Sequence, residues 1–276
     1  MSDSLAVFHG QFGRVCLYAM DRRMVPHGHR EGHLVFHVQG PPGRMVVDGK
    51  AWPLSPGQAV AVSPWQAHYY DPVHTGAPTL ALVLYIRPAW FLEAARCVTA
   101  SLCFGRTGIE VTDHFARLVL STAQTMLDPD REDLLIEDRL CALTQAAYDQ
   151  SWQWTEAGAR FTGPNLPRRD FRIRKAMKLL QARVGAAVEL DGVAREVGLS
   201  RPHFYKLFRD QVGLTPNLYL NALRMERAID RLAASGEAVA EIGFDLGFSS
   251  QASFSRFFIG NGVVPPSAYR RSVHVA

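Results

Sequence analysis

The chain has 276 residues, of which 47% are hydrophobic and 20% charged, with a net charge of +4 at neutral pH. That is enough for two domains with a core each, and too apolar for a disordered chain. No apolar run approaches the roughly eighteen residues of a membrane helix. The N-terminal MSDSLAVFHG lacks the basic-then-apolar order of a secretory leader, so a cytoplasmic protein is expected. The charge is unevenly placed. Residues up to Pro164 carry 13 Lys+Arg against 16 Asp+Glu, a net of −3, and those from Asn165 onward carry 17 against 10, a net of +7. A basic half joined to an acidic one suggests a polyanionic partner for the second half alone. The four cysteines, Cys16, Cys97, Cys103 and Cys141, form no C-x-x-C pair and fit no zinc ribbon. They are expected to be reduced and mostly buried.

Residues 1 to about 88 read as short strands. Arg14–Met20, His33–Gln39, Arg44–Asp48, Gln58–Ser63 and Thr79–Ile86 are rich in Val, Leu, Phe and Tyr, and turn residues separate them. Such spacing predicts a sandwich or small barrel. Asp48-Gly49 is a hairpin signal, because both residues tolerate positive φ. After Arg87-Pro88 the pattern turns helical, over Ala89–Cys97, Thr112–Leu127 and Asp130–Trp154. The two longer helices, separated at Asp128-Pro129-Asp130, read as an antiparallel hairpin that either dimerises or covers the sheet. Glu156–Pro167 is rich in breakers and reads as a linker. The domains are therefore 1–155 and 168–276, with 156–167 between them.

The strand-rich half contains His27-Gly28-His29, then His33, then Gly40, and further on Ser63-Pro64-Trp65-Gln66-Ala67-His68. These segments resemble the two motifs of a cupin barrel, with His33 where a Glu is usual and the second motif shortened. The resemblance implies that His27, His29, His33 and His68 line one pocket. Neutral imidazoles in that number suit a divalent metal such as zinc, iron or nickel. The same residues, with Glu31 and Trp65, are alternatively the lining of an organic effector site. Beyond that candidate divalent metal no cofactor is implied, and no nucleophile–base pair or phosphate-binding glycine loop is visible, so an enzyme is not expected.

The basic half contains an internal repeat. Val193-Ala194-Arg195-Glu196-Val197-Gly198-Leu199-Ser200 matches Ile242-Gly243-Phe244-Asp245-Leu246-Gly247-Phe248-Ser249 at an offset of 49. In each copy a small residue allows a close helix crossing, a glycine supplies a left-handed turn, an apolar residue plugs the corner, and a serine can cap the next helix. The following helices are Arg201–Gln211 and Ser250–Ile259. Core positions Phe204, Leu207 and Phe208 align with Phe254, Phe257 and Phe258 at an offset of 50, so the second copy has one extra residue after its turn. Thr215-Pro216 opens a connecting helix with a cap and a first-turn proline.

The stretches LDGVAREVGLSRPHFYKLFRDQVGLTPNLYLNALRMERA, VAEIGFDLGFSSQASFSRFF and PPSAYRR make Arg172–Arg271 similar to the DNA-binding domain of AraC/XylS-type regulators. The resemblance implies an α+β, two-domain chain: an N-terminal cupin-like β-barrel with appended helices, and a C-terminal all-α double helix-turn-helix. It implies a transcription regulator, an activator in contact with RNA polymerase, controlled by a small-molecule effector and acting as a homodimer. Matching positions assign DNA contact to Arg201, Pro202, His203, Tyr205 and Lys206 in the first recognition helix, and to Ser250, Gln251 and Arg256 in the second. Lys206 and Arg256 suit either guanine edges or phosphates. The run Phe258-Ile259-Gly260-Asn261-Gly262-Val263-Val264-Pro265 lacks the basic pair usual in the family, so the first unit is expected to dominate binding. A metal-binding cupin, sensor or enzyme, fused to a DNA-binding domain is the alternative.

Overall fold

The computed structural model describes residues 2–73, 76–94, 103–128, 130, 133–152, 170–185, 188–262 and 264–275. Cys97, the linker at 156–167, and residues 95–97, 131–132 and 153–154 of the expected helices lie outside them. The first half holds strands β1 (Asp3–Gly10), β2 (Gly13–Met20), β3 (Gly32–Gln39), β4 (Gly43–Val47), β5 (Lys50–Leu54), β6 (Gln58–Val62), β7 (His68–Pro72), β8 (Thr79–Ile86) and β9 (Gly108–Glu110), with helices α1 (Pro88–Ala94), α2 (Asp113–Leu127) and α3 (Asp133–Trp152). The second half holds α4 (Phe171–Ala182), α5 (Leu190–Glu196), α6 (Arg201–Val212), α7 (Pro216–Ala234), α8 (Val239–Asp245), α9 (Gln251–Asn261), α10 (Pro266–Ser272) and a last strand, β10 (Val273–Val275).

Two sheets face each other, one in the order β10-β1-β2-β8-β3-β6-β9 and one in the order β5-β4-β7. Alternation along β2 shows why both sides of the larger sheet are apolar. Cys16, Tyr18 and Met20 point inward and meet Met45, Val47 and Tyr70 of the smaller sheet. Val15 and Leu17 point outward and are covered by Phe115, Val119 and Ala123 of α2 and Ile136, Leu140 and Leu143 of α3. A strand buried on both faces reads as a continuous apolar run. The helical hairpin therefore covers the sheet. Its far side leaves Leu120, Leu127 and Leu135 exposed. Asp48 and Gly49 both take positive φ and join β4 to β5 as a hairpin, pairing Val47 with Lys50. Of the three described cysteines, Cys16 is buried, while Cys103 and Cys141 are partly exposed. The expectation of mostly buried thiols holds for the strand cysteine and not for the two on the covering layer.

Helix α7 divides the helical half. Tyr219, Leu220 and Leu223 pack with α4, α5 and α6. Ala228, Ile229 and Leu232, further along the same helix, pack with Ile242, Phe254 and Phe258. This second cluster is continuous with the barrel interior. The end of the chain joins the barrel directly, because β10 pairs in parallel with β1 through Val7↔Val273 and Phe8↔His274.

Candidate nucleic-acid interface and histidine cluster

Both halves of the repeat fold as a helix, a glycine turn and a second helix. Gly198 and Gly247 adopt φ of +73° and +83°, where an L side chain is strained. A Cβ on Gly243 would stand 2.9 Å from the Cβ of Phe254, which explains the small residue at that crossing. Leu199 and Phe248 fill the two corners, Phe248 against Phe254 and Phe257. The expected serine caps differ from the structure. Ser200 stands at the N-cap of α6 without a side-chain cap bond. In the second unit the cap is Ser250, not Ser249: its hydroxyl accepts from the Ser253 N–H at 3.1 Å. The extra residue after the second turn moves the helix start by one. Thr215 caps α7 as expected, accepting from Leu218 N–H at 3.3 Å.

On α6, Phe204 and Phe208 are buried, and Arg201, Pro202, His203 and Lys206 are exposed, with Tyr205 half-buried beside them. Arg201 spans the unit, 3.2 Å from Asp191 of α5 and over the Tyr205 ring. On α9, Gln251 and Arg256 are exposed, and Ser250 is half-buried with its hydroxyl engaged as the cap. Each second helix thus buries two phenylalanines, Phe204 and Phe208 in one unit and Phe254 and Phe258 in the other, and offers polar and basic groups outward. That helix has the diameter of the DNA major groove and can read base edges there.

The histidines converge at the mouth of the barrel. The backbones of His27 and His68 exchange two hydrogen bonds, of 3.0 and 2.8 Å, and the Trp65 N–H donates to the His29 carbonyl at 2.8 Å. One ring nitrogen from each of His27, His29 and His68 lies within 4.8 Å of the others. His33, on β3, has Nδ1 3.1 Å from His68 Nε2 and its ring stacked on Tyr85. All four are buried. Burial holds their pKa values below the ordinary histidine value, that of His68 at about 3, so all four are neutral at physiological pH. Glu31 is pinned by Arg14 at 2.8 Å, and Arg14 lies 3.6 Å above the Tyr85 ring. Sequence reading did not single out Arg14 or Tyr85. The available signal was a charge at the start of the otherwise apolar strand β2. Trp65 does not face the barrel interior. It has φ of +68° and packs against Tyr219 of α7, with ring centres 4.9 Å apart.

This mouth is closed by the helical half. Between the His27–Glu31 segment and α7, α9 and α10 the free volume is about 30 Å³. Inside the barrel, among Tyr18, His33, Met45, His68 and Tyr70, it is about 10 Å³. The loop before the histidines touches both recognition units. Val25 N–H donates to the Gly260 carbonyl at the end of α9 at 3.0 Å, and a Cβ on Gly28 would meet the Leu214 side chain, just after α6, at 3.0 Å. Outside, an open groove between the halves is lined by Arg30, Arg87, Glu226 and Asp230.

Residues 12–144 match the model of an AraC-like ligand binding domain, and residues 193–272 match a helix-turn-helix domain. The chain is 25% identical over 246 residues to the transcriptional activator RhaS of Escherichia fergusonii, covering 84% of this chain and 83% of RhaS. It is 33% identical over 122 residues to the regulatory protein PocR of Salmonella typhimurium, which spans 44% of this chain and 40% of PocR. It is 22% identical over 181 residues to the lactose operon transcription activator of Staphylococcus xylosus, 60% of this chain and 65% of that protein. The solved structure of ToxT from Vibrio cholerae shares the fold at a TM-score of 0.57 and 13% identity, covering 94% of this chain and 96% of ToxT.

Proposed function

Because the chain belongs to the AraC-type transcription regulators, we propose that it is a one-component switch: a small effector held by the cupin-like domain sets how the two helix-turn-helix units engage double-stranded DNA. The carrying observation is the pair of units built to one plan on either side of α7, each presenting one polar, exposed helix face. The eight positions from Arg201 to Arg256 named above are the proposed contacts, and His27, His29, Glu31, His33, Trp65 and His68 the proposed effector region. RhaS and the S. xylosus relative are named as activators, which supports activation here, through contact with RNA polymerase. The exposed Leu120, Leu127 and Leu135 on the outer side of α2 and α3 support a homodimer through that hairpin. No described helix is long and apolar enough to cross a membrane. The proposed regulator works in the cytoplasm and is not an enzyme.

Fluorescence anisotropy with the full chain tests this reading. The probe is a labelled duplex of about three helical turns, selected from a random pool by the protein itself. With about six phosphate contacts, affinity should fall roughly a thousandfold between about 50 and 200 mM salt. Binding that is absent at low salt, or indifferent to salt, overturns it.

A further inference from the structure

Among the described residues, the cavity inside the barrel between Tyr18, His33, Met45, His68 and Tyr70 has a free volume of about 10 Å³, about that of a single water-sized sphere and too small for an organic effector. The cupin-like domain does hold three imidazoles prepared alike. His27 Nδ1 faces the Val25 carbonyl at 2.9 Å, His29 Nδ1 the Glu31 carbonyl at 3.0 Å, and His68 Nδ1 the Gln66 carbonyl at 2.8 Å. A ring nitrogen beside a carbonyl must carry the proton and donate it. The tautomer of all three is thereby set, and the lone pair is left on Nε2. His29 Nε2 is buried and has no hydrogen-bond partner, and the same is true of Glu31 Oε2. Burying an acceptor without a partner is unfavourable, and a bound cation would supply one.

We propose that the effector of this regulator is a divalent transition-metal ion bound by Nε2 of His27, His29 and His68, and that it acts through the loop that touches the ends of both recognition helices. The inference rests on the regulator reading and names its ligand. Nitrogens about 2.0–2.1 Å from a tetrahedral ion stand roughly 3.4 Å apart, so the rings, each of which now offers a nitrogen within 4.8 Å of the others, must move closer to hold the ion. His33 must release His68 Nε2, to which its Nδ1 now donates. Glu31, its outer oxygen unpartnered, supplies negative charge against the nearby Arg14. Imidazole donors in a dry pocket select zinc, iron, nickel or copper over magnesium or calcium. The ligand segments are also the contact segments: Val25 bonds Gly260, Gly28 packs on Leu214, and Trp65 packs on Tyr219. Drawing His27 and His29 toward His68 therefore moves the surface on which both units rest.

The experiment uses the full chain stripped with chelator and titrated with Co²⁺. One ion per chain is expected, with visible d–d absorption, and Cu²⁺-loaded wild type should show nitrogen hyperfine splitting in its EPR spectrum. His29→Gln and His68→Gln should each weaken Co²⁺ binding more than about tenfold, whereas His114→Gln, on the exposed face of α2, should not. Co²⁺ should shift affinity for the selected duplex by about fivefold or more. The EPR measurement needs no variant, so it decides even if a substituted chain fails to fold. Absence of a stoichiometric ion, absence of nitrogen splitting, or an ion that leaves DNA affinity unchanged overturns the proposal. If one of these failures occurs while the chain still binds DNA in a salt-dependent way, the regulator reading stands and this inference falls.

Discussion

Arg14 sits near the start of β2 with its side chain 8% exposed, paired with Glu31, whose side chain is 13% exposed. Removing one partner of such a pair strands a charge in a dry site. Arg14→Met should cost about 3–5 kcal/mol, read as a lower urea midpoint, and the double change Arg14→Met with Glu31→Leu should recover most of the loss. Equal instability of the single and double variants would mean the pair is not the source. At the other end of the exposure scale, Lys206 and Arg256 lie on the open faces of α6 and α9. If they read bases, Lys206→Ala and Arg256→Ala each cost about 1–3 kcal/mol and relax preference at one position of the selected duplex; phosphate contact would weaken all sequences alike and shallow the salt slope by about one. The histidines were legible because H-x-H in an extended segment puts both rings on one side of the chain. Arg14 was not, since a single arginine flanking an apolar strand gives no clue that a glutamate seventeen residues on will meet it.

Glycine turns are where sequence reading of the elements was most secure. Gly198 and Gly247 were identified from spacing alone, and both take the left-handed conformation. Nothing lies within 4 Å of a Cβ built on Gly198, so Gly198→Ala tests the backbone and nothing else. A loss of about 1–2 kcal/mol is expected, with Gly198→Asn losing less because asparagine tolerates that region; equal stability of Ala and Gly at this position would contradict the account. The five strands expected from composition correspond to β2, β3, β4, β6 and β8, within a residue at each end. The missed strands share a cause. β5 contains Pro53, β7 ends at Pro72, and β9 and β10 have three residues each, so their identity comes from a partner rather than from their own pattern. β1 carries a register shift between Ser4 and Ala6 that interrupts its alternation. The cap at Ser250 could have been read from the one-residue difference in offset between the turns and the aromatic core.

At the scale of the molecule, the two halves are fastened together by groups that neither half's sequence announces. The Ser4 and Ser272 hydroxyls are hydrogen-bonded at 2.8 Å, His274 stacks on Phe8, and His9 Nε2 lies 2.8 Å from the Tyr269 hydroxyl, where α10 lies on β1. The expected separation into two domains joined by a linker gives no hint of this, because a three-residue strand at the chain end acquires meaning only beside β1. The end of α9, where the basic pair usual in the family is absent, also abuts the barrel loop: Val25 N–H donates to the Gly260 carbonyl there. The His9 contact makes the fastening sensitive to acid. Burial first, and then the charges of Arg14 and Arg87, lower the His9 pKa from 6.5 to about 4. Between those values the unfolded chain binds a proton at this site and the folded chain does not, so stability is present above pH 6.5 and declines as pH falls toward 4. The decline from this group is at most about 1.4 kcal/mol per pH unit, and less to the extent that water reaches the ring. The buried cluster histidines pull in the same direction, so the informative quantity is a difference. With chelator present, urea midpoints from pH 7 to 4.5 should fall less steeply for His9→Gln than for the wild-type chain. Identical slopes would assign the acid sensitivity to the barrel mouth and leave the His9–Tyr269 contact without a part in it.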